Sequence, residues 1–347
     1  MDTIEISLRI NQNLGMDYIQ RFINKIRSLL SPYGYTFCDV LEVSNTGNLI
    51  IKISYPRYFF GNNAYLITKR SECFEVQKCF VDNIMEDLYW KDNIGELNLL
   101  RVDIPFTYQM RDNEEFNSYE NVFQICAIVY NRTKNNAKPK AFIDMINRSL
   151  ETVIYSDNGK SDKSSNNKLM IYNQYLNLNQ KLDEEVFEET LRAYGDLPYR
   201  IRMEVSKRIR LRKSFDGQGF ANFDILGHYF EQYKSYILEY VLNKEEIDWQ
   251  YNIWSEQLAK ILIESRAKGN FNYEVFILQN LSTIYDYEIL RRALGIGIDN
   301  TSTRENAITK VRRILNGIQQ EKNIIVMDTY AVLMKMRDTI INYKLVD

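Results

Sequence analysis

Two short stretches of the sequence repeat one arrangement of charge. In LLRVDIPF, Val102, Ile104 and Phe106 alternate with Arg101 and Asp103; in YRIRMEVS, Ile201, Met203 and Val205 alternate with Arg200, Arg202 and Glu204. Side chains point to opposite faces along a strand, so each stretch would present Arg-x-acid on one face and an apolar row on the other. A third stretch, KLMIYNQYLNLNQKL, starts with the same alternation: Lys168, Met170, Tyr172 and Gln174 would share a face before the pattern turns helical. If the three strands lie in one sheet, two carboxylates, two arginines and a phenol converge on one surface.

That set suits phosphodiester chemistry. Two carboxylates can hold a hard divalent cation through oxygen, and the cation polarises a phosphate oxygen and offsets developing charge. Guanidinium groups grip phosphate bidentately. A phenol, with an ordinary pKa of ~10, attacks phosphorus only when such an environment activates it. The plainer readings stay open here. Charges alternating outward are what any half-exposed strand shows, and Tyr172 is one of 25 tyrosines, most of which must pack.

The elements that would position these residues are legible in outline. IEISLRI and NLIIKISYP alternate as strands, with a helix, MDYIQRFINKIRSLL, between them. SECFEVQKCFVDNIMEDLYW and AKPKAFIDMINRSLETVI read as helices, and NVFQICAIVY reads as a strand. A polar stretch, YSDNGKSDKSSNN, precedes Tyr172, and DEEVFEETLRAYG follows it as a helix. From about Asn222 nearly every segment has helical spacing. The expectation is an α+β domain over 1–214, with a mainly antiparallel sheet and flanking helices. A mostly helical region over 215–347 follows, with RKSFDGQGFAN as the hinge.

Composition narrows the chemistry. The 347 residues carry a net charge of -2, so any nucleic-acid site must come from local clustering of Lys and Arg. RIRMEVSKRIRLRK is such a cluster, with Arg200, Lys207, Arg208, Arg210, Arg212 and Lys213 around Glu204. Tyr58, in PRYFFGNN, is a candidate platform for stacked bases. The single histidine, His228, excludes a metal site built on paired histidines within one chain and leaves an oxygen-ligand site. Four cysteines without C-x-x-C spacing read as free thiols of a reducing compartment. No apolar run is long enough to span a membrane.

In their order along the chain, IKISYPRYFFGNNAYL, LLRVDIPF, LMIYNQYLNLNQKL and YRIRMEVSKRIRLRKSF resemble the rolling-circle replication initiators of filamentous phages, the phage/plasmid replication protein II/X family. They resemble the plasmid Rep_trans initiators more distantly. The resemblance implies an enzyme that nicks one strand at a replication origin and later rejoins it, in the cytoplasm of a bacterial host. Tyr172 would be the nucleophile and would become joined to a 5′ phosphate. Asp103 and Glu204 would hold Mg²⁺ or Mn²⁺, with Arg101 and Arg202 as phosphate or structural partners. The implied partners are origin DNA, single-stranded or hairpin at the nick, with a host helicase and DNA polymerase. Two positions depart from the family: Gln174 stands where a lysine is common, and Asn62 where relatives can have histidine. Lys168 or Lys207 would then supply the lost charge. The alternative is a catalytically silent relative that grips origin DNA as a regulator.

Overall fold

The computed structural model describes residues 1–11, 13–43, 47–111, 116, 118–134, 139–144, 149–156, 167–209, 224–284, 286–322 and 328–346. The protein is α+β. Among the described residues eight strands form one sheet: β1 (Thr3–Ile10), β2 (Cys38–Val43), β3 (Asn48–Ser54), β4 (Ile94–Gln109), β5 (Lys140–Asp144), β6 (Ser149–Ser156), β7 (Asn167–Asn173) and β8 (Arg200–Arg208). Their order is β2-β3-β1-β4-β8-β7-β6-β5, and each neighbouring pair runs antiparallel. Helices flank the sheet: α1 (Met16–Arg27), α2 (Tyr55–Phe60), α3 (Arg70–Phe80), α5 (Gln174–Lys181) and α6 (Glu184–Ala193), with α4 (Tyr119–Thr133) between β4 and β5. The C-terminal region is helical, comprising α7 (Ile225–Tyr240), α8 (Lys244–Ala267), α9 (Tyr273–Gln279), α10 (Tyr287–Gly297), α11 (Thr301–Lys322) and α12 (Thr329–Asn342).

The register explains the sheet. Residues directly opposite in an antiparallel pair share a face. On one face Ile4, Val102, Ile104, Phe106, Met203, Val205, Leu169 and Ile171 are all fully buried. Each such side chain contributes about 2 kcal/mol by leaving water. Helix α7 covers this row: Phe230 packs on Phe106 with ring centroids 5.4 Å apart, and the Tyr233 hydroxyl donates to the Val102 carbonyl at 3.2 Å. The opposite face carries Lys52, Thr3, Arg101, Asp103, Arg202, Glu204 and Tyr172.

The chain forms two compact units that do not divide at a single cut near residue 214. One comprises residues 1–109, 137–237 and 340–347; the other comprises 110–136 and 238–339. The reading of NVFQICAIVY as a strand is corrected: it lies in α4. Its β-branched and aromatic content favours a strand locally, but Tyr119, Val122, Phe123, Cys126, Val129 and Tyr130 are buried at spacings of three and four. AKPKAFIDMINRSLETVI is likewise not a helix. It supplies β5 and β6, because Val153 and Tyr155 extend the buried face beside Ile171 and Leu169 of β7. The hinge stretch, residues 212–222, and most of the polar stretch before β7 lie outside the described residues.

Candidate functional site

The central strands converge on a pocket of about 290 Å³ in the first unit. Tyr172 on β7 lies opposite Arg202 of β8 and Thr152 of β6. Its hydroxyl donates to Glu204 Oε2 at 3.2 Å. Glu204 lies opposite Pro105 of β4, and Asp103, two residues before that proline, opposite Ser206. The two Arg-x-acid strands are thus adjacent, and both carboxylates and the phenol line one pocket.

The charges here are buried and crowded. Burial, then the neighbouring carboxylates Asp2 and Asp103, push the Glu204 carboxyl up to about 8, against the pull of Arg101 and Arg202. Asp103 is also raised by burial, opposed by Arg101 and Ser206. Arg101 spans Asp103 at 2.8 Å and Glu5 at 3.1 Å. Burial, and then the charge of Glu204, hold the Tyr172 phenol well above its ordinary value. At neutral pH the Tyr172 phenol is therefore a protonated donor to Glu204, and Glu204 is placed to take that proton only in its ionised form, which prevails above about pH 8 or beside a cation.

Arg202 has a different part from a phosphate grip. It is 1% exposed, and its guanidinium donates to the carbonyls of Asn63 at 2.6 Å and Ala64 at 3.3 Å. It pins the segment after α2 beside the pocket. Gln174 joins it there. β7 ends at Asn173, whose side chain accepts from Leu176 N at 3.3 Å and caps α5. Gln174 therefore opens a helix rather than extending the strand face, and donates to the Asn63 and Ala64 carbonyls at 3.3 Å each. Tyr175 turns away and packs edge-on against Phe187 at 5.2 Å.

The remaining expected residues are spread more widely. Asn62 lines the pocket, and its amide is held by Thr190 Oγ1 at 3.1 Å and Ala64 N at 3.0 Å. Arg200 is bound to Asp196 at 2.6 Å and to the Ala64 carbonyl at 2.9 Å. Lys168 shares the polar face of β7 but does not line the pocket. Lys207 lies on the opposite face, its ammonium over the rings of Tyr233 and Tyr236. Neither lysine takes the place next to Gln174. Arg208 ends β8, opposite Arg101. Tyr58 is no stacking platform: it is 1% exposed, wedged against Phe37 and Phe59, with its hydroxyl 3.3 Å from Glu75. Arg210, Arg212 and Lys213 lie outside the described residues. His228 is exposed on α7 and does not line the pocket.

Sequence reasoning missed four charged pocket residues: Asp2, Lys52, Arg57 and Lys181. Asp2 precedes the alternating run of β1, so no periodicity marks it; it is buried and is the strongest charged neighbour of Glu204. Lys181 had a signal. Once α5 starts at Gln174, the spacing 174, 177, 178, 181 puts Lys181 on the same face as Asn177 and Leu178, which also line the pocket.

Among the described residues no three His, Cys, Asp or Glu side chains are set as a metal cage. The donors nevertheless suit a hard cation. Asp2, Asp103 and Glu204 are all oxygen ligands, each at least nine-tenths buried, and Mg²⁺ commonly takes one or two carboxylates and completes its shell with substrate phosphate and water. Burial, and then the crowding of Asp2 and Asp103, push the Glu204 carboxyl up, a condition a cation would relieve. No protein-family model, no curated protein and no solved structure matches this chain.

Proposed function

We propose that the protein is a replication initiator of the rolling-circle type, a tyrosine-dependent enzyme that nicks and rejoins one DNA strand at an origin. The observation that carries this reading is the Tyr172 hydroxyl, hydrogen-bonded to Glu204 in a concave pocket that also holds Asp2 and Asp103. Tyr172 Oη attacks the scissile phosphorus while Glu204, in its ionised form, accepts the phenolic proton. The Oη–P bond forms, the P–O3′ bond breaks, and the 3′ oxygen takes the proton from Glu204 and leaves as a hydroxyl that can prime synthesis. The reverse transfer rejoins the strand. Glu204 and Asp103 would hold Mg²⁺ or Mn²⁺, which when bound would keep Glu204 ionised, lower the pKa of the phenol and offset charge on the phosphate. Arg202 and Gln174 keep the wall at Asn63 and Ala64 in place. The pocket volume suits an unpaired nucleotide better than a duplex, so the DNA is single-stranded or a hairpin loop at the nick. The host helicase and polymerase belong to the same proposal.

The second reading, a silent origin-binding regulator, draws on one observation: Tyr172 is only 4% exposed. One experiment separates the two. The protein is incubated with Mn²⁺ and a pool of single-stranded oligonucleotides and run on a denaturing gel. The wild type and Tyr175→Phe give a slow-migrating covalent adduct, and Tyr172→Phe gives none. An adduct from Tyr172→Phe would overturn Tyr172 as nucleophile. DNA binding without any wild-type adduct would establish the regulator.

A further inference from the structure

Cations left over at the rim of the pocket point to a second element of recognition. Lys52 comes from β3, Arg57 from α2 and Lys181 from the end of α5, and all three line the same cavity as Tyr172. None forms an ion pair among the described residues. For Lys52 the reason is visible in the register. Its cross-strand neighbours are Glu5 on β1 and Asp39 on β2, but Glu5 is bound by Arg101 at 3.1 Å and Asp39 by Arg27 at 3.0 Å. Lys181 is held by the Asn177 side chain at 2.8 Å, which steers the ammonium without neutralising it. Lys181 is near enough to Lys52 to feel its repulsion, and near enough to Glu204 and Asp2 to feel their attraction. Lys52 and Lys181 repel each other across the rim that Arg57 shares, and an anion among the three removes that cost.

We propose that Lys52, Arg57 and Lys181 form a phosphodiester subsite on the rim of the pocket, holding the single strand beside Tyr172. Lys181 reaches the strand from the end of α5. Lys52 and Arg57 reach the backbone on the side of β3 and α2. The place of the subsite in the reaction rests on the nicking reading; its binding of phosphate does not. The division of labour is electrostatic. Buried carboxylates on the floor repel phosphate, so a cationic rim is needed to bring the strand against them. In a chain of net charge -2 this local excess directs the polyanion to the pocket rather than to the surface at large.

The test uses the full chain with Tyr172→Phe, so that no covalent trapping occurs, and a short single-stranded oligothymidylate as probe. Affinity is measured over a range of salt. Lys52→Met, Arg57→Met and Lys181→Met should each weaken binding about tenfold and flatten the log–log salt slope by roughly 0.7 for each phosphate left without its cation. Lys181→Arg should restore most of the affinity. Lys260→Met, which removes an exposed cation of the other unit, should change neither quantity. Unchanged affinity and slope in the triple rim variant, or no binding by the parent protein, would overturn the subsite. If the rim variants lose binding but the protein with Tyr172 restored forms no adduct, the subsite stands and the nicking reading falls.

Discussion

The two units each contain a network of charged and phenolic side chains, and the networks are built on opposite plans. In the helical unit, Arg292 reaches Glu288 and Asp248 at 2.7 Å each, and the Tyr330 hydroxyl donates to Asp248 at 2.7 Å. Burial acts to raise Asp248, but hydrogen bonds from Arg292, Lys244 and Tyr330 outweigh it and bring the carboxyl down to about 2. At the deepest acid, Asp286, burial prevails and raises the carboxyl to about 6, held back by hydrogen bonds from the Tyr251 hydroxyl and the amides of Glu288 and Tyr330. In the sheet unit, burial and like charge win at Glu204, and the spare cations stand at the rim. A network whose charges are met internally holds a fold together. One that keeps acids crowded and cations without acid partners is the arrangement expected of a binding site.

The contrast predicts opposite signs for two substitutions. Arg292→Met leaves Glu288 and Asp248 without their shared partner and should cost about 2–3 kcal/mol in chemical denaturation. Glu204→Gln removes a desolvated charge yet keeps an acceptor for Tyr172, and should raise stability by about 1–3 kcal/mol at pH 8 without added metal. Loss of stability in Glu204→Gln would mean that the pocket is a structural network like the helical one, and the comparison would collapse.

The two networks also separate by pH. An acid whose pKa is raised by folding keeps its proton in the native state after the unfolded chain has lost it, so stability falls as pH rises between the two values. For Asp286, raised from 3.8 to about 6 by burial, that window ends near pH 6. For Glu204 it runs from 4.5 to about 8. The buried α-amino group of Met1, lowered to about 6 by burial, acts in the opposite sense above pH 6. The quantity to read is therefore the difference between wild type and Glu204→Gln, by thermal melts in metal-free buffer. The gap should widen from pH 6 to 8, and Mg²⁺ or Mn²⁺ should narrow it. A gap independent of pH would remove Glu204 as a perturbed acid.

The sheet and its polar face were legible because period-two alternation is strong where one face is buried: Arg101, Asp103, Arg202, Glu204 and Tyr172 share the face that the pattern assigns them. Pattern alone could not tell which of them meets solvent. Arg202 and Arg101 look alike in sequence, yet one is sealed under the carbonyls of Asn63 and Ala64 while the other ties acids at the pocket. Asp2 was hidden because one residue before a strand has no periodicity. Lys181 was hidden because the alternation runs one residue past the asparagine that ends the strand. NVFQICAIVY was misread because its residues favour strands locally while its buried positions follow a helix.

The smallest effect is also the sharpest on how the pocket is assembled. Asn173 does in the sheet unit what Asn243 does in the helical one: its side chain caps the helix that follows, α5 in one case and α8 in the other. Either Asn→Ala change should cost about 1 kcal/mol. Beyond that the two should differ. Asn173 sits between Tyr172 and the helix that carries Lys181, so fraying its first turn loosens the ammonium relative to the phenol. Asn173→Ala should weaken oligothymidylate binding about threefold, and Asn173→Ser, another capping residue, should recover it. Asn243→Ala should lower the denaturation midpoint by a similar amount and leave oligothymidylate affinity unchanged. Equal affinities in the two alanine variants would show that the cap only stabilises α5, and that Lys181 is placed by the packing of Leu178 against Phe187 and Leu197 instead.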